Sequence, residues 1–333
     1  MEVVDAHVHV IVREIVHNGV DQDEWRPRVR REGGEQVVEL GGRTVRAMVN
    51  EAVDVETLLA SRLRAGIDRV VLCPWVQLLY TDAEPSAALE RCQIQNEALE
   101  RIVIHNEGRV TALGAVPLQD PELAAAELRQ IRRRGDLAGV EVSASVGGLF
   151  LGDPRFEPFW DAAEESEALV FLHPTTRGFS DQVFGEYYLW NTVGNPLETT
   201  IAAAQLTMAG VLERRPNLRI LLAHGGGALL ALRGRLAKAH SFQPQACERL
   251  EEDPIESIRR FYFDTLTNDD ALLAALVEFA GPDRVLLGSD YPFDMADSDP
   301  VDRVRRLGLE SSSEAAILGG NASSLVAKGR LLT

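Results

Sequence analysis

The chain has 333 residues, 45% of them hydrophobic, with 34 Lys+Arg against 51 Asp+Glu and a formal net charge of −17. That apolar content fills one large domain or two ordinary ones, and the acidity argues against gripping nucleic acid by neutralising phosphates. Three cysteines, Cys73, Cys92 and Cys247, are odd in number and not closely paired, so they make neither a disulfide framework nor a thiolate zinc site.

No run reaches the ~20 apolar residues that span a bilayer. The opening MEVVDAHVHV does not read as a signal peptide. The expectation is a cytoplasmic protein with no membrane or nucleic-acid partner. The only two lysines are Lys238 and Lys328, which disfavours chemistry needing a buried strand-end lysine: a Schiff base, a pyridoxal phosphate anchor, or a carbamylated bridge between two metals. The phosphate loop GxxxxGKS/T is absent, as are GxGxxG, GxSxG and HExxH.

In chain order, short β-branched runs alternate with helical patterns. Val3–His9 reads as the first strand, and a polar, charge-dense stretch from Val12 to about Asn50 follows it. Inside that stretch, QVVEL-GG-RTVRA reads as a hairpin with Gly41-Gly42 at the turn. Residues 12–50 are therefore expected to be an insertion or lid over the barrel mouth, the alternative being a solvated flap without a catalytic part.

The next strands are Arg69–Cys73, Val110–Val116, Gly139–Val142, Leu169–His173, Arg219–Ala223, Phe261–Asp264 and Val285–Gly288. Most are continuous apolar runs, as parallel strands buried on both faces require. Helical patterns cover Val55–Ala65, Ala87–His105, Pro121–Arg134, Glu157–Glu167, Pro196–Glu213, Ala228–Ala239 and Asp270–Ala280, with start signals at Asp120-Pro121 and Asn195-Pro196. Strand–helix units repeated in this way predict a single α/β domain over residues 1–333, a (β/α)8 TIM barrel; a doubly wound open sheet is the runner-up. Arg132-Arg133-Arg134 reads as a solvated helix face.

Barrel enzymes place reactive groups at the C-terminal ends of their strands. Four of the seven histidines fall there: His7 and His9 in the first strand, His173 in LVFLHP and His224 in ILLAHGGG; Asp290 follows the eighth strand in VLLGSDYPF. His7 and His9 are two apart on a strand, so both side chains project to one face. With His173 and Asp290 they offer three nitrogens and a carboxylate, a set suited to one divalent transition ion with an open position. Zn²⁺ is the expected ion and Mn²⁺ the alternative. Asp5 reads as a residue that orients a ligand, and Asp264 as structural. Glu141 occupies the strand where two-metal enzymes carry a carbamylated lysine, and is expected not to recruit a second ion.

These motifs resemble the amidohydrolase superfamily, most closely the branch typified by 2-amino-3-carboxymuconate-6-semialdehyde decarboxylase. The resemblance runs from DAHVH through VPLQDPELA, FLHP, LLAHGGG and DRVLLGSDYPF to GGNASSL, almost the full length. It implies a distorted barrel with one catalytic divalent metal on His7, His9, His173 and Asp290, and His224 as an acid/base beside it. It further implies carboxylate-binding arginines, Arg46 after the Gly-Gly hairpin and Arg235 in GALLALRGR, the second reaching across a homodimer interface; Arg233 competes with Arg235 for that role.

The expected reaction is a metal-dependent, non-oxidative decarboxylation of a carboxylated muconate semialdehyde or hydroxylated aromatic acid. The alternative is hydrolysis or hydration of a related carboxylate, and a non-enzymatic metal-holding barrel is the third reading. The stretch after His173, with Arg177, Tyr187 and Trp190, departs from the family pattern and is where substrate identity is expected to be set. Trp75 is a candidate aromatic wall, with plain core packing as the alternative.

Overall fold

Apolar runs buried on both sides can pair only with neighbours that are themselves covered by helices, and the strands of this chain do so. The computed structural model describes residues 2–17, 24–32, 35–40, 43–45, 52–175 and 181–327. The strands are β1 (Val4–Val10), β2 (Arg28–Glu32), β3 (Glu35–Leu40), β4 (Arg43–Val45), β5 (Arg69–Pro74), β6 (Val110–Gly114), β7 (Gly139–Ser143), β8 (Ser145–Val146), β9 (Leu149–Phe150), β10 (Leu169–His173), β11 (Arg219–Leu222), β12 (Tyr262–Asp264) and β13 (Val285–Leu286). Eight of them form one parallel sheet in the order β1-β5-β6-β7-β10-β11-β12-β13.

Segments beyond β13 close the ring on β1: Ala6 N–H donates to Leu287 O, Asp290 N–H to His7 O and His9 N–H to Tyr291 O, at 2.7–2.8 Å. The fold is therefore the expected barrel and not an open doubly wound sheet. The seven main helices are α1 (Val55–Arg64), α2 (Pro85–His105), α3 (Pro121–Arg134), α4 (Glu157–Glu165), α5 (Asn195–Met208), α6 (Leu229–Phe242) and α7 (Asp270–Ala280).

Two apolar clusters divide the interior. Val4, Ala6, Val71, Leu113, Leu169, Phe171, Leu221 and Leu286 fill the barrel, together with Ala322, Leu325 and Val326 of the short helix Asn321–Val326. That helix plugs the floor and lies in a region the sequence periodicity leaves unassigned. A larger cluster, including Leu72, Val140, Val170 and Ile220 with Leu99, Leu128 and Leu206, lies between strands and helices.

Start signals behave unequally. Asp120 caps α3, its carboxylate accepting from Leu123 N–H at 3.1 Å. Asn195 is no cap: a wide helical turn over Trp190–Gly194 already runs into α5. The helical pattern Pro196–Glu213 is broken at Gly210, whose φ of 64° is left-handed. The arginine run is not a uniformly solvated face either. Arg132 is buried, donating to Ser166 O and Leu137 O, and Arg134 pairs with Glu100.

The expected hairpin is present as β3 and β4, joined by β2 into a separate three-stranded antiparallel sheet. Gly41-Gly42 and Arg46 lie outside the described residues. Ahead of β2, Trp25 packs edge-on to Tyr80 at 5.6 Å, with Arg91 of α2 over its ring. This part of the insertion is thus anchored beside the C-terminal end of β5.

Candidate metal centre

The centre begins with an irregularity in β1. Register with β5 slips between Asp5 and Val8, and the Asp5 carboxylate accepts the His7 N–H there at 3.1 Å. The bulge re-aims the strand, so that Val4 and Ala6 face the barrel core while His7 and His9 beyond it also point inward. Asp5 is tied across to the eighth strand's end by Ser289, whose backbone N–H and hydroxyl both donate to it.

His173 enters from the end of β10. Asp290 enters from the turn after β13 with a left-handed φ of 61°. His7, His9, His173 and Asp290 are all buried, and one potential ligand atom from each lies within 4.8 Å of the others. The structure thus brings together the four side chains singled out from the sequence.

The hydrogen bonds around them decide what this cluster can hold. His7 Nδ1 donates to Asp264 Oδ2 at 2.8 Å, His9 Nδ1 to Pro74 O at 3.0 Å and His173 Nδ1 to Pro174 O at 2.9 Å. Each acceptor is an oxygen, so each Nδ1 carries the hydrogen and each Nε2 turns inward. His7 Nε2 and His9 Nε2 stand 3.1 Å apart, Asp290 Oδ1 lies 3.3 and 3.1 Å from them, and His173 Nε2 has no hydrogen-bond partner among the described residues. Inward-facing nitrogens backed by oxygen acceptors are the arrangement that fixes histidine as a metal ligand.

The electrostatics agree. Burial pulls His7 down, but Asp290 and Asp264 outweigh it and leave His7 raised to about 10. The site therefore calls for positive charge between its carboxylates, which a proton on His7 or a cation satisfies. Burial lowers His9 despite Asp290, and holds His173 well below its usual value with help from the neighbouring imidazoles. Burial alone would raise Asp290; the charge on His7 and the approach of His224, His7 and His9 hold it well below the usual carboxylate range. Two imidazoles held neutral, an ionised carboxylate and a His7 whose positive charge a cation can replace suit a divalent ion.

His224 stands beside this set and not within it. Its ring centroid is 5.0 Å from that of His173, its Nε2 is 3.5 Å from Asp290 Oδ2, and its Nδ1 has no partner. Its side chain is 15% exposed, where those of His7 and His9 are fully buried. Phe293 lies 5.2 Å from the His9 ring and Trp75 6.3 Å from Phe293. Trp75 is buried within the core, as the packing alternative expects.

Other expected residues are placed less uniformly. Arg235 is exposed on α6 and makes no hydrogen bond or ion pair among the described residues. Arg233 donates to Leu230 O and covers the Phe279 ring at 5.1 Å, so it is committed to packing. Arg177 lies outside the described residues. Tyr187 and Trp190 are exposed, and Tyr188 donates to Asp294 across the mouth at 3.0 Å. Glu141 is fully buried, with neither oxygen hydrogen-bonded among the described residues and Oε1 4.0 Å from His9 Nδ1. It falls outside the four-residue cluster. Its carboxyl is pushed well above the usual value by burial, against the charge on His7.

Two residues matter more than the sequence suggests. Asp264 is not merely structural: it touches both His7 and the His224 backbone. The rule that found the histidines, a polar residue at a strand's C-terminal end, also marks it. Glu198 of α5 accepts from Ser145 Oγ at 2.6 Å and Thr175 N–H at 2.7 Å, holding the chain just beyond His173. A helix carboxylate reads as solvated, and nothing in the sequence sets Glu198 apart.

The chain belongs to the amidohydrolase family, whose model matches residues 4–327, in the branch of 2-amino-3-carboxymuconate-6-semialdehyde decarboxylase. The decarboxylase of that name from Dictyostelium discoideum is 30% identical over 285 residues, covering 85% of this chain and 79% of the relative. Among solved structures, 5-carboxyvanillate decarboxylase from Sphingomonas paucimobilis superposes with a TM-score of 0.84 at 23% identity, over 98% of both chains. Dihydroxybenzoic acid decarboxylase from Polaromonas sp. JS666, solved with manganese and 2-nitroresorcinol, superposes with a TM-score of 0.80 at 20% identity, over 98% of this chain and 96% of that one. At these identities the structures speak to the fold.

Proposed function

We propose that the protein is a metal-dependent, non-oxidative decarboxylase of a hydroxylated aromatic acid or a carboxylated muconate semialdehyde. The observation that carries this reading is the convergence of three Nε2 atoms and Asp290, with every Nδ1 committed to an oxygen behind it. His7, His9, His173 and Asp290 would hold one divalent ion, zinc or manganese. When bound, such an ion supplies Lewis acidity toward an oxygen of the substrate. The name of the Dictyostelium discoideum relative supports carbon–carbon cleavage over hydrolysis.

The chain's own residues supply the rest. Phe293, beside His9 and backed by the buried Trp75, would offer an apolar aromatic surface to a planar conjugated acid. Arg235, exposed and unpaired among the described residues, would reach a partner's site in a homodimer and bind a carboxylate bidentately. Arg46 would do so from the insertion, with residues 12–50 forming a lid. His224 Nε2, at the open side of the cluster, delivers a proton to the carbon bearing the carboxylate. The C–C bond then breaks, its electron pair passes back into the conjugated system and CO₂ departs. Solvent then returns a proton to His224, which replaces the one spent on the new C–H bond.

The test is incubation of the zinc- or manganese-loaded protein with a panel of hydroxybenzoate and carboxymuconate acids, following absorbance and CO₂ together. Gas released in step with substrate loss supports the proposal. Substrate loss without gas would make the protein a hydrolase or hydratase, and no turnover of any acid would remove the reading.

A further inference from the structure

His224 lacks the usual device for aiming a catalytic histidine. Among the described residues nothing accepts from its Nδ1, and the one carboxylate near its ring, Asp290, stands 3.5 Å from Nε2 on the side that faces the site. The backbone does that work. His224 sits at a left-handed φ of 57°, unusual for a residue with a Cβ, and heads the tight turn His224–Gly226. That turn is gripped by one group. The carboxylate of Asp264, at the end of β12 and fully buried, accepts from His224 N–H at 2.9 Å and Gly225 N–H at 2.7 Å. The same carboxylate accepts from Leu266 N–H at 3.1 Å and from His7 Nδ1 at 2.8 Å.

We infer that Asp264 is a positioning residue that sets two parts of the site at once: the tautomer of the metal ligand His7 and the placement of the acid/base His224. This rests on the metal reading above. The argument is one of donors and acceptors. All four partners of Asp264 are donors, two on each oxygen. A carboxylate satisfies them all, and no other side chain of that size does. An asparagine in its place must turn its NH₂ toward two donors whichever way it flips. Three of the four are backbone N–H groups and cannot change. His7 alone can yield, by moving its hydrogen from Nδ1 to Nε2, which closes the lone pair that faces the cluster. The His224 N–H on the same oxygen loses its acceptor with it.

Asp264→Asn is therefore expected to weaken zinc binding ~10–100-fold, read by competition with a chromophoric chelator. At saturating zinc, kcat is expected to stay depressed while KM holds, because His224 is displaced and the carboxylate-binding groups are not. Circular dichroism and melting establish that the variant is folded. A purely structural role would lower the melting point but leave the zinc dissociation constant and the kcat-against-KM split unmoved, and that result overturns the inference. A zinc constant within about twofold of wild type, below the effect general for such partners, also overturns it.

If Asp264→Asn does not fold, the zinc-loaded wild type decides by ¹H–¹⁵N spectroscopy of its histidine rings. A hydrogen on His7 Nδ1, protected from exchange, supports the inference; His7 binding zinc through Nδ1 sinks it. A wild type that binds no zinc at all would instead remove the metal reading, which separates the two failures.

Discussion

Gly288 offers the sharpest mechanical test of the His7–Asp264 pair. A Cβ built there would lie 2.8 Å from the Asp264 Cβ and 3.0 Å from the His7 Cβ, where carbon atoms normally keep about 3.5–4.0 Å. Both contacts are the stems of side chains fixed to strands, so relief requires β1 and β12 to part. Overpacking of that kind costs about 1–3 kcal/mol, and at ~2 °C per kcal/mol for a large domain the melting point of Gly288→Ala should fall by ~2–6 °C. The wedge also pries His7 Nδ1 from Asp264 Oδ2, now 2.8 Å away, and a loss of ~10-fold in zinc affinity is expected.

The assay is thermal unfolding at a series of zinc concentrations. A tenfold weaker constant removes ~1.4 kcal/mol of the stabilisation that a given excess of zinc confers. Gly234→Ala is the control, since a Cβ there meets nothing within 4 Å on α6, and helix propensity makes it neutral to stabilising. A Gly288→Ala protein that melts and binds zinc like the wild type would refute the reasoning about how these strands hold the site.

Three further outcomes follow from the same geometry. His224→Ala should keep the affinity for a divalent ion and lose ~10²–10⁴-fold in kcat; undiminished turnover would take His224 out of the chemistry. Arg235→Ala should raise KM for the acid ~10–100-fold, and mixing it with His224→Ala should restore about a quarter of wild-type activity if each site takes its arginine from the other subunit of a two-fold dimer; no restoration would place Arg235 elsewhere. Glu141 is raised in the folded metal-free protein, so the folded state holds its proton more tightly than the unfolded one, and stability falls as pH climbs from the ordinary carboxyl value toward the raised one, by up to ~1.4 kcal/mol per pH unit. Glu141→Gln removes that loss, and its melting advantage over wild type should grow between pH 5 and pH 8; a constant difference would contradict it.

The strands and the cluster were legible for one physical reason. Parallel barrel strands are apolar runs that end at the mouth, so a histidine or aspartate just past such a run stands out, and His7, His9, His173, His224 and Asp290 all do. Asp264 stands out in the same way, and its four bonds tie it to His7 and to the His224 turn. What did not show was long-range pairing. Arg132 looks like one of three equivalent charges until its carbonyl partners on other elements are seen. Glu198 looks like a helix surface residue until Ser145 and Thr175 meet it. Gly210 breaks a helix that periodicity would continue, because its left-handed φ is a backbone matter that side-chain patterning does not record.

Metal analysis after equilibrium dialysis of stripped protein against zinc and, separately, manganese goes most directly to the heart of the matter. The wild type should retain about one ion per chain, and His173→Ala or Asp290→Asn should retain almost none under the same conditions. A wild type that comes out empty of both metals, or a His173→Ala protein that holds as much as the wild type, would contradict it.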